Sequence, residues 1–278
     1  MSQSPTYYGD WVASLPMYDW PERRAEVDAQ WAQIRDALRA SGIDAPERLA
    51  RRNADLPPVP GGIRSRDGDV IAPDPATLPP EELDLPTLWR HPKLLLAQTC
   101  WGPMQTTGLA GHVRVVGQPG YSDCEGGQGE FYSSVIVMRG EGRTAVPADG
   151  GALLPLDLLR EKRLAYNGED SMSGLLALSR DLKAAGKDLG IFASRARTGS
   201  HRASAEAVAA GEADVAALDC RSWAGFARFE PAAAAKLSVV GWTAKSKGLP
   251  YICARALPEE IFRSCRAILE EPSAPMRV

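Results

Sequence analysis

Ser171, Met172, Ser173 and Gly174 sit between an apolar run, RLAY, and the helix-like LLALSRDLKAAG. A helix start carries unpaired N–H groups and roughly half a positive charge. Small residues there let an anion approach the backbone, and Ser171 and Ser173 add hydroxyl donors. That chemistry suits a phosphate, a phosphonate or a carboxylate. The same residues equally suit plain capping, in which a serine satisfies the N–H groups internally. A second loop, ARTGSHRASAEAVAAG, opens another helix on Gly199, Ser200 and His201. Histidine at such a start donates to an anion and titrates near neutrality; a surface cap with a solvated imidazole is the plain alternative. A strand ending in Asp219 follows. In open α/β sheets, ligands sit beyond the carboxyl ends of strands, where all three features are expected. Tyr18 and Gln105 each follow a predicted strand elsewhere in the chain, in PMYD and WGPMQ, and a tyrosine with a polar tip can line a cleft. Packing of strand on helix would explain those segments too.

Catalytic signatures are missing. A nucleophile needs a base and an orienting group. Cys124, Cys220, His112, His201 and Asp219 supply ingredients, but no motif joins them. G-x-S-x-G and H-E-x-x-H are absent. The glycines at 126–129 do not form G-x-G-x-x-G ahead of a helix, and the histidines at 91, 112 and 201 show no metal spacing. No catalytic residue, metal or cofactor is expected.

The elements that must position these residues follow from periodicity. WVASLPMY reads as a short strand. Asp19 then reads as a helix cap, with Pro21 in the first turn and Glu22 three residues on. Val27, Trp31, Ile34 and Leu38 recur at helical spacing up to Ser41-Gly42. Residues 53–90 carry eight prolines, so a surface excursion without long helices is expected, with RDGD as a hairpin turn. KLLLAQTC, VRVVGQP and FYSSVIVMR read as strands. RLAY plus its helix, then the Ser200 helix plus ADVAALD, form two βα-type units, which favour a parallel sheet. LSVVGWT, LPYICARA and the helical PEEIFRSCRAILEE complete the chain. The architecture that fits is α/β with two lobes: residues 1–130 plus 222–278 as a discontinuous lobe, and 131–221 inserted. Two chain crossings, near 128–133 and 219–227, would make a hinge beside a ligand cleft.

Bulk composition narrows the function. With 278 residues there is room for two ordinary domains. An apolar share of 44% and a net charge of −3 fit a globular protein and argue against a nucleic-acid partner. The five cysteines form no C-x-x-C pair, so a reduced compartment fits better than a disulfide framework. MSQSPTYYGDWVASLPMYDW has no basic leader with an apolar core, which reads as cytoplasmic; a trimmed leader would change that. No apolar run is long enough to insert in a membrane.

LPMYD, CWGPMQTTG, GQPGY, FYSSVIVMRG, LREKRLAYNGEDSMSG, TGSHRASAEAVAAGEADVAALD and GWTAKSKGLPYI together resemble the phosphate/phosphite/phosphonate ABC-transporter substrate-binding family, over residues 11–256. The resemblance implies the type II periplasmic-binding-protein fold with a cleft between lobes. It implies a small anionic or zwitterionic ligand, an ABC-transporter permease as partner, and a periplasmic location. It assigns an oxyanion to Ser171, the Met172 backbone N–H and Ser173, with donors from Ser200 and His201. Asp219 would accept from an amino group or a protonated oxygen. Tyr18, Gln105 and Tyr132 would close the site. Met172 departs from the family's Ser-Thr-Ser-Gly loop, replacing a hydroxyl with an apolar contact. The alternative is an enzyme on the same fold, similar to thiamine-pyrimidine-precursor synthases, using His and Cys residues in the cleft.

Overall fold

The computed structural model describes residues 10–270. The first nine residues, part of the segment read for a leader, and Glu271, at the expected end of the last helix, lie outside it. The chain divides into two compact units.

Among the described residues, the first unit comprises 10–99, 103–119 and 249–270. Its sheet runs in the order Val12–Ser14, Leu94–Gln98, Tyr251–Ala254, Val113–Gly117. The first pair is parallel, and Tyr251–Ala254 is antiparallel to both of its neighbours. Leu94–Gln98 is buried along its whole length, as the run LLLAQ requires of a central strand. The helices Arg24–Ala40 and Glu259–Glu270 share a core with this sheet, built on Val27, Trp31, Ile34, Leu38, Ile261 and Cys265. Arg24–Ala40 has no side-chain N-cap. Asp19 does not cap it, contrary to the sequence pattern; its carboxylate takes both arms of Arg51, at 2.6 and 3.1 Å. The helix can do without that cap. A cap contributes about 1 kcal/mol, and each of its four buried apolar side chains contributes roughly 1.5–3 kcal/mol. RDGD does turn a hairpin, between Ile63–Arg64 and Val70–Ala72, with Gly68 at φ +90°.

The second unit comprises residues 100–102 and 120–248. Its main sheet runs Ser194–Arg197, Arg163–Tyr166, Val215–Asp219, Ser134–Arg139, Leu237–Trp242. The first three are parallel, as the βα pattern predicts. Ser134–Arg139 runs antiparallel to Val215–Asp219 and to Leu237–Trp242, so the sheet is mixed rather than parallel. Leu237–Trp242 pairs with Ser134–Arg139, which keeps residues to 248 in this unit; the chain leaves it at 248/249, after the expected 219–227. In the same way it enters at 119/120, ahead of the expected 128–133, because Gly127–Gln128 and Phe131–Tyr132 join Ser246–Lys247 in a small antiparallel sheet. FYSSVIVMR is thus two strands, parted at Ser133. Ser194–Arg197, unremarked in the sequence because SRAR has no apolar alternation, is an edge strand. All four of its side chains are exposed, and its arginines blunt the edge.

Candidate functional site

Strand direction gathers the chemistry in the second unit. The three parallel strands end at Tyr166, Arg197 and Asp219 on one edge of the sheet. The antiparallel strand begins on that edge, since Ser134 pairs with Asp219, which brings Tyr132 and Ser133 there as well. Each parallel strand then feeds a helical start. Tyr166 leads to a wide π-type turn, Met172–Leu176, continued by the helix Ala177–Ala184. Arg197 leads to His201–Ala210, and Asp219 directly to Cys220–Phe229. The last helix was not expected from the sequence, and it falls where a chain crossing was placed.

Each start is capped by a predicted site residue. Ser171 Oγ accepts from the Gly174 N–H at 3.0 Å, and Ser200 Oγ accepts from the Ala203 N–H at 3.0 Å. Asp219 accepts from the Ser222 N–H at 2.7 Å and from the Ser222 hydroxyl at 2.8 Å. Three residues assigned to a ligand therefore also hold their own helices. Ser173 is different. Its Oγ lies 2.8 Å from His201 Nε2, and the same nitrogen is 3.7 Å from Asp219 Oδ2. His201 Nδ1 is buried and has no hydrogen-bond partner in the protein. Burial holds the imidazole below its ordinary value, with the Asp219 carboxylate pulling the other way.

Tyr132 completes the group. Its ring, 1% exposed, stacks on Tyr121 with centroids 5.2 Å apart. Its hydroxyl has no hydrogen-bond partner of regular geometry, although Ser173 stands near enough to favour ionisation slightly. Burial dominates and pushes the phenol well above its usual range, so it stays a neutral donor. Asn167 Oδ1 and Ser133 Oγ are likewise buried without partners. Sequence reasoning passed over both. Their signal was position alone, one residue past and one before a strand end on the shared edge.

Cys100 and Gly102 also belong to the second unit and were not foreseen as neighbours of the 170–172 loop. A Cβ on Gly102 would stand 1.6 Å from Asp170 O, so only glycine allows the start of the Trp101–Thr106 helix to approach that loop. Burial pushes the Cys100 thiol up to about 11, although the Gly102 and Met172 backbone N–H groups favour its thiolate. The Met172 side chain is buried. Of the remaining predicted residues, Tyr18 (buried) and Gln105 (exposed) belong to the first unit. Among the described residues no His, Cys, Asp or Glu cluster is arranged to hold a metal ion.

Against known proteins, the structure resembles that of PhnD1 from Prochlorococcus marinus in complex with methylphosphonate, with a TM-score of 0.59 and 16% identity over 93% of this chain and 83% of that one. It also resembles a binding-protein component of an ABC phosphonate transporter from Pseudomonas aeruginosa, with a TM-score of 0.59 and 15% identity over 95% of this chain and 74% of that one. A Xanthomonas citri protein, XAC2383, bound to chloride, gives a TM-score of 0.59 and 14% identity over 97% of this chain and 86% of that one. Among curated proteins no relative matches the chain. These likenesses define the class: a mixed α/β protein with the type II periplasmic-binding-protein fold. The family model described as "ABC transporter, phosphonate, periplasmic substrate-binding protein" matches residues 112–271, and the chain belongs to that family of solute-binding proteins. No helix among the described residues is long and apolar enough to cross a membrane.

Proposed function

We propose that the strand-end edge of the second unit binds a small oxyanion, a phosphonate or a close relative, for delivery to an ABC-transporter permease. The observation that supports this reading is the pair of buried, unsatisfied polar atoms, Tyr132 Oη and His201 Nδ1, on two residues that both neighbour Ser173. Leaving such groups unpaired costs about 1–3 kcal/mol each, a cost that a bound ligand would offset. Three helix starts converge on the same edge and favour negative charge. Asp219 suits an amino group or a protonated oxygen on the ligand. Tyr18 and Gln105 join as closing residues on the strength of the family resemblance. Membership of a family described as periplasmic supports a periplasmic location.

The geometry does not favour the enzyme. In a Ser-His-acid triad the acid holds one ring nitrogen and the serine meets the other. Here Ser173 and Asp219 both face Nε2, and Nδ1 has no protein partner. No thiol is bonded to His201 either: Cys100 faces backbone N–H groups and Cys124 faces Cys220.

Calorimetric titration with methylphosphonate, phosphite and inorganic phosphate tests the proposal. The Ser173→Ala/His201→Ala double variant should lose at least about tenfold in affinity, about 1.4 kcal/mol, and keep its fold. Unchanged affinity in that variant would sink the site.

A further inference from the structure

Two of the five cysteines meet although they stand 96 positions apart in the chain. The Sγ atoms of Cys124 and Cys220 lie 3.2 Å apart, both as free thiols. A disulfide needs about 2.0 Å between sulfurs, so small side-chain rotations close the gap. The flanking residues hold the two segments together independently of the sulfurs. Arg221, 1% exposed, pairs with Asp123, donates to the Gly120 carbonyl and lays its guanidinium over the Tyr121 ring at 4.4 Å. Gly126 presses the same loop inward: a Cβ there would meet the Cys220 Cβ at 3.2 Å and the Trp242 ring at 2.6 Å. Cys124 is half-buried, whereas Cys220 is 1% exposed. The other three thiols, Cys100, Cys253 and Cys265, are buried.

We propose that Cys124 and Cys220 are a disulfide-forming pair that staples the loop at 121–126 to the start of the Cys220–Phe229 helix. This stands independently of the ligand. Cys124, the accessible thiol, gives up its proton and attacks a small-molecule disulfide such as oxidised glutathione, releasing one thiolate. Cys220 then gives up its proton, attacks the Cys124 sulfur of the mixed disulfide and displaces the second thiolate. Two protons and two electrons leave the protein, and one external disulfide becomes two thiols. Exposure sets the order, and contact with Cys124 together with burial supports it by holding the Cys220 thiol well above its usual range. The bridge would start one residue after Asp219, anchoring the turn that carries that carboxylate. By closing so long a loop it would restrict the unfolded chain more than the folded one.

The test is to equilibrate the full chain in glutathione buffers of rising oxidised fraction, then denature, alkylate and digest it. The expected result is loss of the mass of two hydrogens, three alkylated cysteines of the five, and a peptide joining Cys124 to Cys220. The thermal midpoint should rise by several degrees, a gain reversed by dithiothreitol and absent from Cys124→Ser. Cys124→Ser is the safer control because its site is half-buried. Cys220→Ser, if it folds, should accumulate a glutathione adduct on Cys124. Five alkylated thiols at the most oxidising ratio would overturn the proposal. So would a bridge between any other pair, or an adduct on wild-type Cys124 that never resolves.

Discussion

His201 meets both Ser173 and Asp219 through one nitrogen and leaves the other unsatisfied inside the protein. That arrangement differs from the one a Ser-His-acid triad uses, and it also predicts a pH response. Burial lowers the folded-state pKa of His201. The unfolded imidazole takes up its proton near the ordinary value of about 6.5, before the folded one does. Its contribution to stability is therefore present above that pH and is lost as pH falls towards the folded value. His91, also depressed by burial, acts in the same direction. Denaturant unfolding between about pH 7 and pH 5 should thus show stability falling with pH in the wild type. His201→Gln should show a shallower fall, by up to about 1.4 kcal/mol per pH unit for one proton. Identical slopes would mean that the imidazole is not desolvated.

The elements around the site depend on close backbone approaches more than on side-chain pattern. Gly102 fits against Asp170 O, and Gly174 fits against Asn167, whose Oδ1 would stand 1.9 Å from a Cβ. Gly102→Ala should displace the 170–172 loop, cost about 1–3 kcal/mol by overpacking and weaken ligand affinity. Gly111→Ala, facing open space, should do neither. Equal behaviour of the two variants in calorimetry and thermal melts would remove the Gly102 contact from the argument. Helical periodicity made Val27, Trp31, Ile34 and Leu38 readable as a buried face, and turn chemistry made RDGD and the Ser171 and Ser200 caps readable. Asp19 was misread because a local capping pattern competed with a partner 32 residues away, Arg51. The helix after Asp219 is hard to read from the sequence because a carboxylate at a strand end suits a ligand as well as the cap it forms.

Across the whole molecule, what could not be read was which strands pair over long distances. Leu237–Trp242 joins the second unit through an antiparallel partner about a hundred residues earlier, and nothing in LSVVGW marks that choice. The hinge expected from the sequence is likewise a proposal that involves distant segments, and ligand-dependent hydrogen exchange can test it. At a hundredfold excess over its dissociation constant, a ligand stabilises the bound protein by about 2.7 kcal/mol. Amides that exchange through global opening should then slow by about a hundredfold. Local protection should concentrate at 168–174, 200–204 and 219–222, the helix starts of the second unit. If Tyr18 and Gln105 take part, segments 16–19 and 101–106 should gain protection beyond the global effect. Protection limited to the second unit would remove both residues from the site and leave Ser173, His201 and Tyr132 to carry the binding.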